Sequence, residues 1–298
     1  MLRSVATKLL ECGSPRTLGL RAASSGVHET KTGSSSTNIV LVDAVRTPFL
    51  VSGTSFKDMM AVDLQKLALL GLIERTKVPV ECVEHIVCGT VIQECLTSNL
   101  AREASLIAGF PEKIPAHTVT LACISSNVAM THIISLIKSG NIQVGIAGGV
   151  ELLSDIPIRH NRKVRSALLS LPKAKKPIDK LKGVSDIVLN FFAPELPAVS
   201  EFTSGETMGK SGDRLAAAFG VSRSEQDEFA LRSHTLAEKA TKEGLLSDVI
   251  PTFVPGQKPK IIRYDNGIRV SSLEQLKKLK PAFVKPHGTV TAGNSSFL

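Results

Sequence analysis

The chain has 298 residues, a net charge of +9 and an ordinary hydrophobic content of 43%. This length is enough for one large domain or two modest ones, each with its own hydrophobic core. No apolar run approaches the length that spans a bilayer, and the five cysteines include no Cys-x-x-Cys pair, which argues against a disulfide framework or a zinc knuckle. With no Trp and one Tyr, the chain is poorly supplied for stacking on nucleic-acid bases.

The positive charge is concentrated in two segments. Residues 1–37 carry five Lys or Arg against two Glu, and residues 159–183 carry nine Lys or Arg against one Asp. The rest of the chain is therefore close to neutral. This pattern indicates a nearly neutral protein with two basic segments, and it disfavours a general nucleic-acid surface.

The N-terminal segment has the composition of a mitochondrial targeting sequence. It is rich in Ser and Ala, contains spaced basic residues such as Arg3, Lys8 and Arg16, and includes few acids. It has no long apolar core of the kind found in secretory signals. We expect residues 1–37 to be a transit peptide, with a disordered N-terminal tail as the alternative.

Short apolar strands and amphipathic helices alternate over the first half of the remaining sequence. We predict strands at 38–44, 84–90, 116–120 and 143–149, and helices at 61–75, 98–109 and 125–138. The β-branched run at 38–44 has the composition of a buried strand. This alternation is typical of an α/β domain with a mixed or mainly parallel sheet.

The alternation of predicted strands and helices does not continue into the second half. Residues 155–210 hold the basic cluster, an apolar run and a Pro-containing segment, and we expect an inserted loop domain there. Residues 206–243 return to helical periodicity. Ser222, with Glu225 three residues later, predicts a capping box at the start of a helix.

Cys123 is the strongest catalytic candidate in the sequence. It lies where a predicted strand runs into a helix, so its sulfur would lie near the helix N-terminus, where the partial positive charge favours a thiolate nucleophile. A buried structural cysteine is the competing interpretation. A cysteine hydrolase would need a histidine-bearing motif, which we do not find. We expect Cys82, Cys88 and Cys95 to pack in the core rather than to bind a metal.

Nucleotide and metal sites have little support in the sequence. Residues 205–211 faintly resemble a phosphate-binding loop, but the spacing between the glycines is one residue short, and no Gly-x-Gly-x-x-Gly occurs. The seven histidines are scattered along the chain, and none forms a His-x₃-His pair. We therefore expect no bound metal.

Five segments resemble, in order, signature segments of the thiolase family. They are VRTPF at 45–49, the turn around Cys123, AGGVELLSD at 147–155, SRSEQDEFALRSH at 222–234 and GTVTAGNSS at 288–296. Further segments, such as APELPAVSEF at 193–202, resemble the branch that supplies β subunits of the mitochondrial trifunctional enzyme. The resemblance covers residues 38–298. It implies the N-terminal half of the layered α/β/α thiolase fold, with a loop domain inserted at about 155–210 and the C-terminal half absent.

The resemblance also implies a chemistry. Thiolases cleave 3-ketoacyl-CoA with CoA in fatty-acid β-oxidation, as acetyl-CoA C-acyltransferases, and Cys123 would carry the acyl group as a thioester. CoA would be a co-substrate, and no separate cofactor is implied. By motif, Met208 would line the pantetheine channel, and Phe283, Ala292 and Ser296 would contact CoA.

Two further thiolase motifs do not occur in the sequence: the Gly-His-Pro histidine that activates the nucleophile and the Cys-x-Gly cysteine that protonates the leaving group. We therefore expect a C-terminally truncated member of the family. The alternative function is a catalytically inactive thiolase that binds CoA or other subunits. Retained acyl transfer distinguishes the two functions.

The resemblance implies several partners besides 3-ketoacyl-CoA and CoA. These are further copies of the chain, an α subunit of the trifunctional enzyme, or both, in the mitochondrial matrix or at the inner membrane. Residues 159–192, which are basic and then apolar, also resemble a surface element that meets anionic inner-membrane lipid. An ordinary solvated basic loop is the alternative.

Overall fold

The computed structural model describes residues 38–296, so the predicted transit peptide at 1–37 lies outside the described residues. The described chain forms two compact units. The first unit contains residues 38–45, Val62–Val91 and Asn99–Val150, and the second contains Arg46–Ala61, Ile92–Ser98 and residues 151–296.

A three-stranded parallel sheet organises the first unit. Its strands are β1 (His85–Gly89), β2 (Ala116–Val119) and β3 (Gly145–Gly149), in the order β2-β1-β3. The side chains of β1 from residue 86 to 88 are fully buried, as expected for the central strand of a parallel sheet. The predicted parallel α/β pattern is therefore confirmed.

Three helices accompany the sheet: α1 (Ala61–Thr76), α2 (Leu100–Ile107) and α3 (Ser125–Lys138). Asn99 caps α2, because its side-chain oxygen accepts a hydrogen bond from the backbone N–H of Arg102 at 3.3 Å. The side chains of Ala129 and Ile133 on α3 pack against Val87 of β1 in a buried apolar cluster. All three helices lie within two residues of their predicted bounds.

The prediction of a buried strand at 38–44 is wrong. The structure assigns no strand there, and the side chain of Leu41 is 84% exposed. A strand needs a neighbour for its backbone N–H and C=O groups, and no strand of the described chain pairs with this run. One end of the segment is fixed instead by an ion pair, in which Arg75 Nε of α1 donates to Asp43 Oδ2 at 2.8 Å.

The second unit is mainly helical. Its helices are α4 (Arg162–Ser170), α5 (Pro177–Asn190), α6 (Met208–Phe219), α7 (Arg223–Lys242) and α8 (Leu273–Lys277), and a small antiparallel pair is formed by β4 (Thr252–Val254) and β5 (Lys260–Ile262). The predicted capping box of Ser222 and Glu225 at the start of α7 is confirmed. Over residues 38–296, we find no helix with both the length and the apolar character needed to cross a membrane.

An arginine ties the start of the second unit to its later part. Arg46 donates two hydrogen bonds to the carboxylate of Asp265, at 2.7 and 2.9 Å, and a third to Asp248 at 3.0 Å. Its guanidinium also lies 4.3 Å from the ring centre of Phe49. Such a bidentate pair fixes orientation as well as distance.

Three histidines that are far apart in sequence meet in the first unit. Nε2 of His85 lies 3.1 Å from Nδ1 of His117, and Nε2 of His117 lies 3.3 Å from Nδ1 of His132. Burial, followed by the neighbouring imidazoles, lowers the pKa of His85 and His117. Within the described residues, no three or more His, Cys, Asp or Glu side chains are arranged to hold a metal ion.

We expect the free energy of unfolding to fall as the pH drops below about 6.5, because the unfolded chain then binds protons that His85 and His117 resist in the folded chain. Because the pKa of each histidine is lower in the folded chain than in the unfolded chain, its contribution to the free energy of unfolding is fully present at a pH above the unfolded-state pKa. The contribution is lost as the pH falls through the folded-state pKa. Urea unfolding at about pH 7.5 and about pH 5.5 measures the difference. His117→Gln should reduce it, and substitution of the exposed His287 by Gln should not. The same pH dependence in all three proteins would contradict this prediction.

Candidate active site

Cys123 lies in a tight turn between β2 and α3, two residues before the first residue of the helix. The predicted position of Cys123 at a strand-to-helix turn is confirmed, and its thiol is exposed, which excludes the competing interpretation of a buried structural cysteine. The preceding residue, Ala122, has φ +45°, in the left-handed region that residues with a side chain rarely adopt. Such local strain is typical of functional sites.

The hydroxyl of Ser125, the first residue of α3, stabilises the turn through two hydrogen bonds to its backbone. The Ser125 hydroxyl accepts a hydrogen bond from the backbone N–H of Leu121 at 2.8 Å and donates one to the carbonyl of Ala122 at 2.6 Å. The Ser125 side chain is buried, so water does not compete for these bonds. Ser125 thereby fixes the backbone on both sides of Cys123.

Two glycines let the start of α3 lie directly against the sheet. Gly89 is the last residue of β1, and a Cβ there would overlap the backbone of Ser125 and Ser126. Gly149 is the last residue of β3, and a Cβ there would overlap the hydroxyl of Ser126. The turn that carries Cys123 therefore lies at the carboxyl ends of parallel strands, where α/β proteins usually place their sites.

The other cysteines differ from Cys123 in their surroundings. Cys82 and Cys88 are buried, as predicted, and burial raises the pKa of the Cys88 thiol to about 12. A thiol that stays protonated is a poor nucleophile. The prediction that Cys95 packs in the core is wrong, because its side chain is exposed. Cys12 lies outside the described residues.

The four residues predicted to bind CoA all belong to the second unit. Met208 begins α6, and a Cβ on the next residue, Gly209, would overlap the ring of Phe283. The ring of Phe283 therefore packs against the start of α6, next to Met208 in the chain, and both Met208 and Phe283 are exposed apolar side chains. Ala292 and Ser296 are also exposed, on the segment that follows.

Ala292 lines a cavity of about 420 Å³ in the second unit. The lining includes polar and cationic side chains, such as those of Asn266, His234 and Arg269. The backbone N–H of Arg269 donates a hydrogen bond to Nδ1 of His234 at 3.2 Å, which joins α7 to this loop. The cavity wall is therefore partly fixed by hydrogen bonds.

Several residues that shape the turn have no recognisable signal in the sequence. The positive φ of Ala122 and the role of Ser125 depend on backbone geometry that composition does not reveal. Gly89 and Gly149 do have a signal, since glycine at the end of an apolar strand often marks a close approach of another backbone.

We expect Gly89→Ala to lower the free energy of unfolding by about 3 kcal/mol, because the new methyl group must displace the start of α3. Gly148→Ala is a matched control on the adjacent strand. A Cβ at Gly148 would meet nothing closer than Gln65 Nε2 at 3.7 Å, so we expect a change of about 1 kcal/mol or less. Chemical denaturation measures both, and equal effects would contradict the proposed close packing.

Comparison with known proteins gives a consistent result. A family model described as the thiolase N-terminal domain matches residues 39–298. The chain is 68% identical over 261 residues to a probable 3-ketoacyl-CoA thiolase of Caenorhabditis elegans, which covers 88% of this chain and 58% of that protein. It is 64% identical over 261 residues to the mitochondrial trifunctional enzyme subunit beta of Homo sapiens, covering 88% of this chain and 55% of that protein.

A solved structure supports the same conclusion. The acetyl-CoA acetyltransferase of Bacillus anthracis superposes with a TM-score of 0.71 and 30% identity, over 86% of this chain and 61% of that one. The chain thus spans little more than half the length of the relatives it matches. The predicted resemblance and the thiolase-type α/β fold are confirmed, and the chain belongs to the thiolase family.

Proposed function

We propose that the chain serves in thiolytic cleavage of 3-ketoacyl-CoA by CoA, with Cys123 as the acyl-accepting nucleophile. The observation that carries this proposal is an exposed thiol beside a strained residue at the start of α3. The similarity to proteins named 3-ketoacyl-CoA thiolase and trifunctional enzyme subunit beta supports fatty-acid β-oxidation as the setting.

The reaction proceeds in two transfers. The Cys123 thiol gives up its proton to solvent as its sulfur attacks the 3-keto carbon, the bond between C2 and C3 breaks, and the acetyl-CoA carbanion takes up a proton from solvent while the acyl group stays on Cys123. The sulfur of CoA then attacks this thioester, and the proton of the CoA thiol replaces the one that Cys123 lost, so that Cys123 leaves as the free thiol.

We propose that CoA, as co-substrate, contacts Met208, Phe283, Ala292 and Ser296. The support for the first two is that both are exposed apolar side chains at the start of α6, where the Phe283 ring packs over Gly209, since exposed apolar side chains suit the pantetheine arm of CoA. No cofactor or metal beyond CoA enters this proposal.

The relatives also support a location and partners. Several are named as subunits of a mitochondrial trifunctional enzyme. We propose a mitochondrial protein, in the matrix or at the inner membrane, that associates with copies of itself or with an α subunit of that enzyme. The basic composition of residues 1–37 supports a mitochondrial address.

The test of the chemistry is acylation of Cys123. We expect purified chain mixed with a long-chain 3-ketoacyl-CoA to release acetyl-CoA and to gain one acyl group on Cys123, detected by mass spectrometry. Cys123→Ala should abolish both signals, because the nucleophile is gone, whereas Cys95→Ala, at another exposed cysteine, should leave them unchanged.

Two other results would change the conclusion. CoA binding without acylation of Cys123 would favour the second candidate function, an inactive CoA- or subunit-binding member of the family. The observation that favours this candidate is the exposure of the apolar side chains of Met208 and Phe283, which would contact CoA without taking part in the chemistry. Acylation that persists in Cys123→Ala would contradict the assignment of the nucleophile.

A membrane contact is proposed for residues 159–192, which include α4 and α5. These helices pack against each other, and the side chain of Asn161 donates a hydrogen bond to the carbonyl of Asn190 at 3.0 Å, which closes the hairpin. Exposed apolar side chains accompany the basic residues, and Phe192 is 91% exposed. Basic charge beside exposed apolar groups suits a surface of anionic lipid.

We expect the purified chain to sediment with vesicles that contain anionic lipid and not with neutral vesicles, and we expect added salt to weaken this binding. Replacing Lys175, Lys176 and Lys180 by Gln should reduce binding, because each lysine close to an anionic membrane surface contributes about 1 kcal/mol to the binding free energy. Replacing Lys277 and Lys278, outside the hairpin, is the control. Equal sedimentation with both vesicle types would contradict the proposal.

A further inference from the structure

Asp213, on α6, binds a loop of backbone rather than a basic side chain. One carboxylate oxygen, Oδ1, accepts hydrogen bonds from the backbone N–H groups of Thr289 and Val290, at 2.6 and 2.8 Å. The other oxygen, Oδ2, accepts one from the N–H of Val284 at 3.1 Å. The Thr289 hydroxyl lies 3.3 Å from Oδ1. All four contacts come from the segment 284–290.

The environment of this carboxylate keeps it charged. Asp213 is only 7% exposed, and burial alone would raise its pKa. The N–H groups of Val290, Thr289 and Val284 outweigh burial and hold the pKa below its usual value. Hydrogen bonds to an ionised acceptor are about twice as strong as those between neutral groups. The segment is therefore held by strong bonds to a single side chain.

The loop approaches the carboxylate so closely that only glycine fits at position 288. A Cβ there would lie 2.6 Å from Asp213 Oδ2 and 2.6 Å from the carbonyl oxygen of Val284. The N–H of Gly288 also donates a hydrogen bond to that carbonyl. The backbone of residues 284–290 thus surrounds the Asp213 carboxylate so closely that a residue with a side chain does not fit at position 288.

A second buried carboxylate fixes the next part of the loop. Asp227 on α7 is fully buried, forms an ion pair with Arg223, and accepts a hydrogen bond from Nδ2 of Asn294 at 3.0 Å. Asn294 in turn donates to the carbonyl of Thr289 and accepts from the N–H of Thr291, at 2.9 and 2.7 Å. The two helices therefore hold one continuous segment.

The held segment is flanked by residues of the proposed CoA site. Phe283 precedes Val284 directly, and its ring packs over Gly209, which lies one helical turn before Asp213 on the same face of α6. Ala292 follows Val290 by two residues. Asp213 thus fixes the stretch of backbone between two residues that CoA would contact.

We propose that Asp213 is a positioning residue for CoA binding, which acts by holding residues 284–290 so that Phe283 and Ala292 face the ligand. This inference rests on the proposed CoA site. Asp213 itself touches neither CoA nor the reacting atoms in this proposal. Its effect is transmitted through the backbone of the loop.

The test is the CoA affinity of the purified full chain and of Asp213→Asn and Asp213→Ala, measured by isothermal titration calorimetry. Asn keeps the shape and one acceptor but turns an NH₂ group toward backbone donors and loses the charge. We expect affinity to fall about tenfold in Asp213→Asn and further in Asp213→Ala. Hydrogen exchange of the amides of Val284, Thr289 and Val290 should become faster in the same order.

Two controls separate positioning from general damage. Asp179→Asn, at an exposed carboxylate on α5, should leave CoA affinity unchanged. The rate at which iodoacetamide alkylates Cys123, in the other compact unit, should also be the same in wild type and Asp213→Asn.

Each of the remaining outcomes would contradict either the positioning role of Asp213 or the CoA site itself. Wild-type affinity in Asp213→Asn would overturn the positioning role and leave the CoA site standing. Weaker affinity together with an altered rate of Cys123 alkylation would indicate general damage and would also overturn it. A wild-type chain that does not bind CoA would overturn both this inference and the CoA contacts on which it rests.

Discussion

The first turn of α3 lies against the last residues of β1 and β3, at a distance that leaves no space for a side chain on either strand end. Every feature of the nucleophile follows from this approach. The chain turns sharply after β2, Ala122 takes up a left-handed conformation, and the Ser125 hydroxyl adds two hydrogen bonds to those that the backbone of the turn makes itself. The thiol of Cys123 is then exposed at the edge of the sheet.

The two units are stabilised by different means. The first unit depends on apolar packing around its central strand, in which Val87 and Ile86 are fully buried. The second unit relies on acidic side chains that accept several hydrogen bonds each, as Asp213, Asp227 and Asp265 do. A carboxylate removed from water is costly unless it is paired or hydrogen-bonded, so each of them requires its particular partners in place. This difference suits a rigid sheet in one unit and specifically shaped loops in the other.

Local patterns allowed much of the fold to be predicted from the sequence. Helical periodicity and side-chain caps depend on neighbours three or four residues away, so α3 and the capping box at Ser222 were predictable. The segment 38–44 was not, because a strand depends on a partner that can lie anywhere in the chain. The histidine cluster was missed for the same reason. The position of Cys123 between a predicted strand and a predicted helix indicated a nucleophile. The residues proposed to bind CoA could be predicted only from the resemblance to a family.

The histidine cluster in the first unit has one more consequence. Each imidazole of His85, His117 and His132 meets its neighbour through one ring nitrogen, so each contact needs one donor and one acceptor. When all three rings are neutral, the choice of tautomer in His117 dictates the choice in both neighbours. The chain of rings therefore has only two consistent proton arrangements, which run in opposite directions. A change of tautomer at His85, in strand β1, therefore requires the opposite tautomer at His132, in helix α3, and every hydrogen bond between the rings reverses its direction.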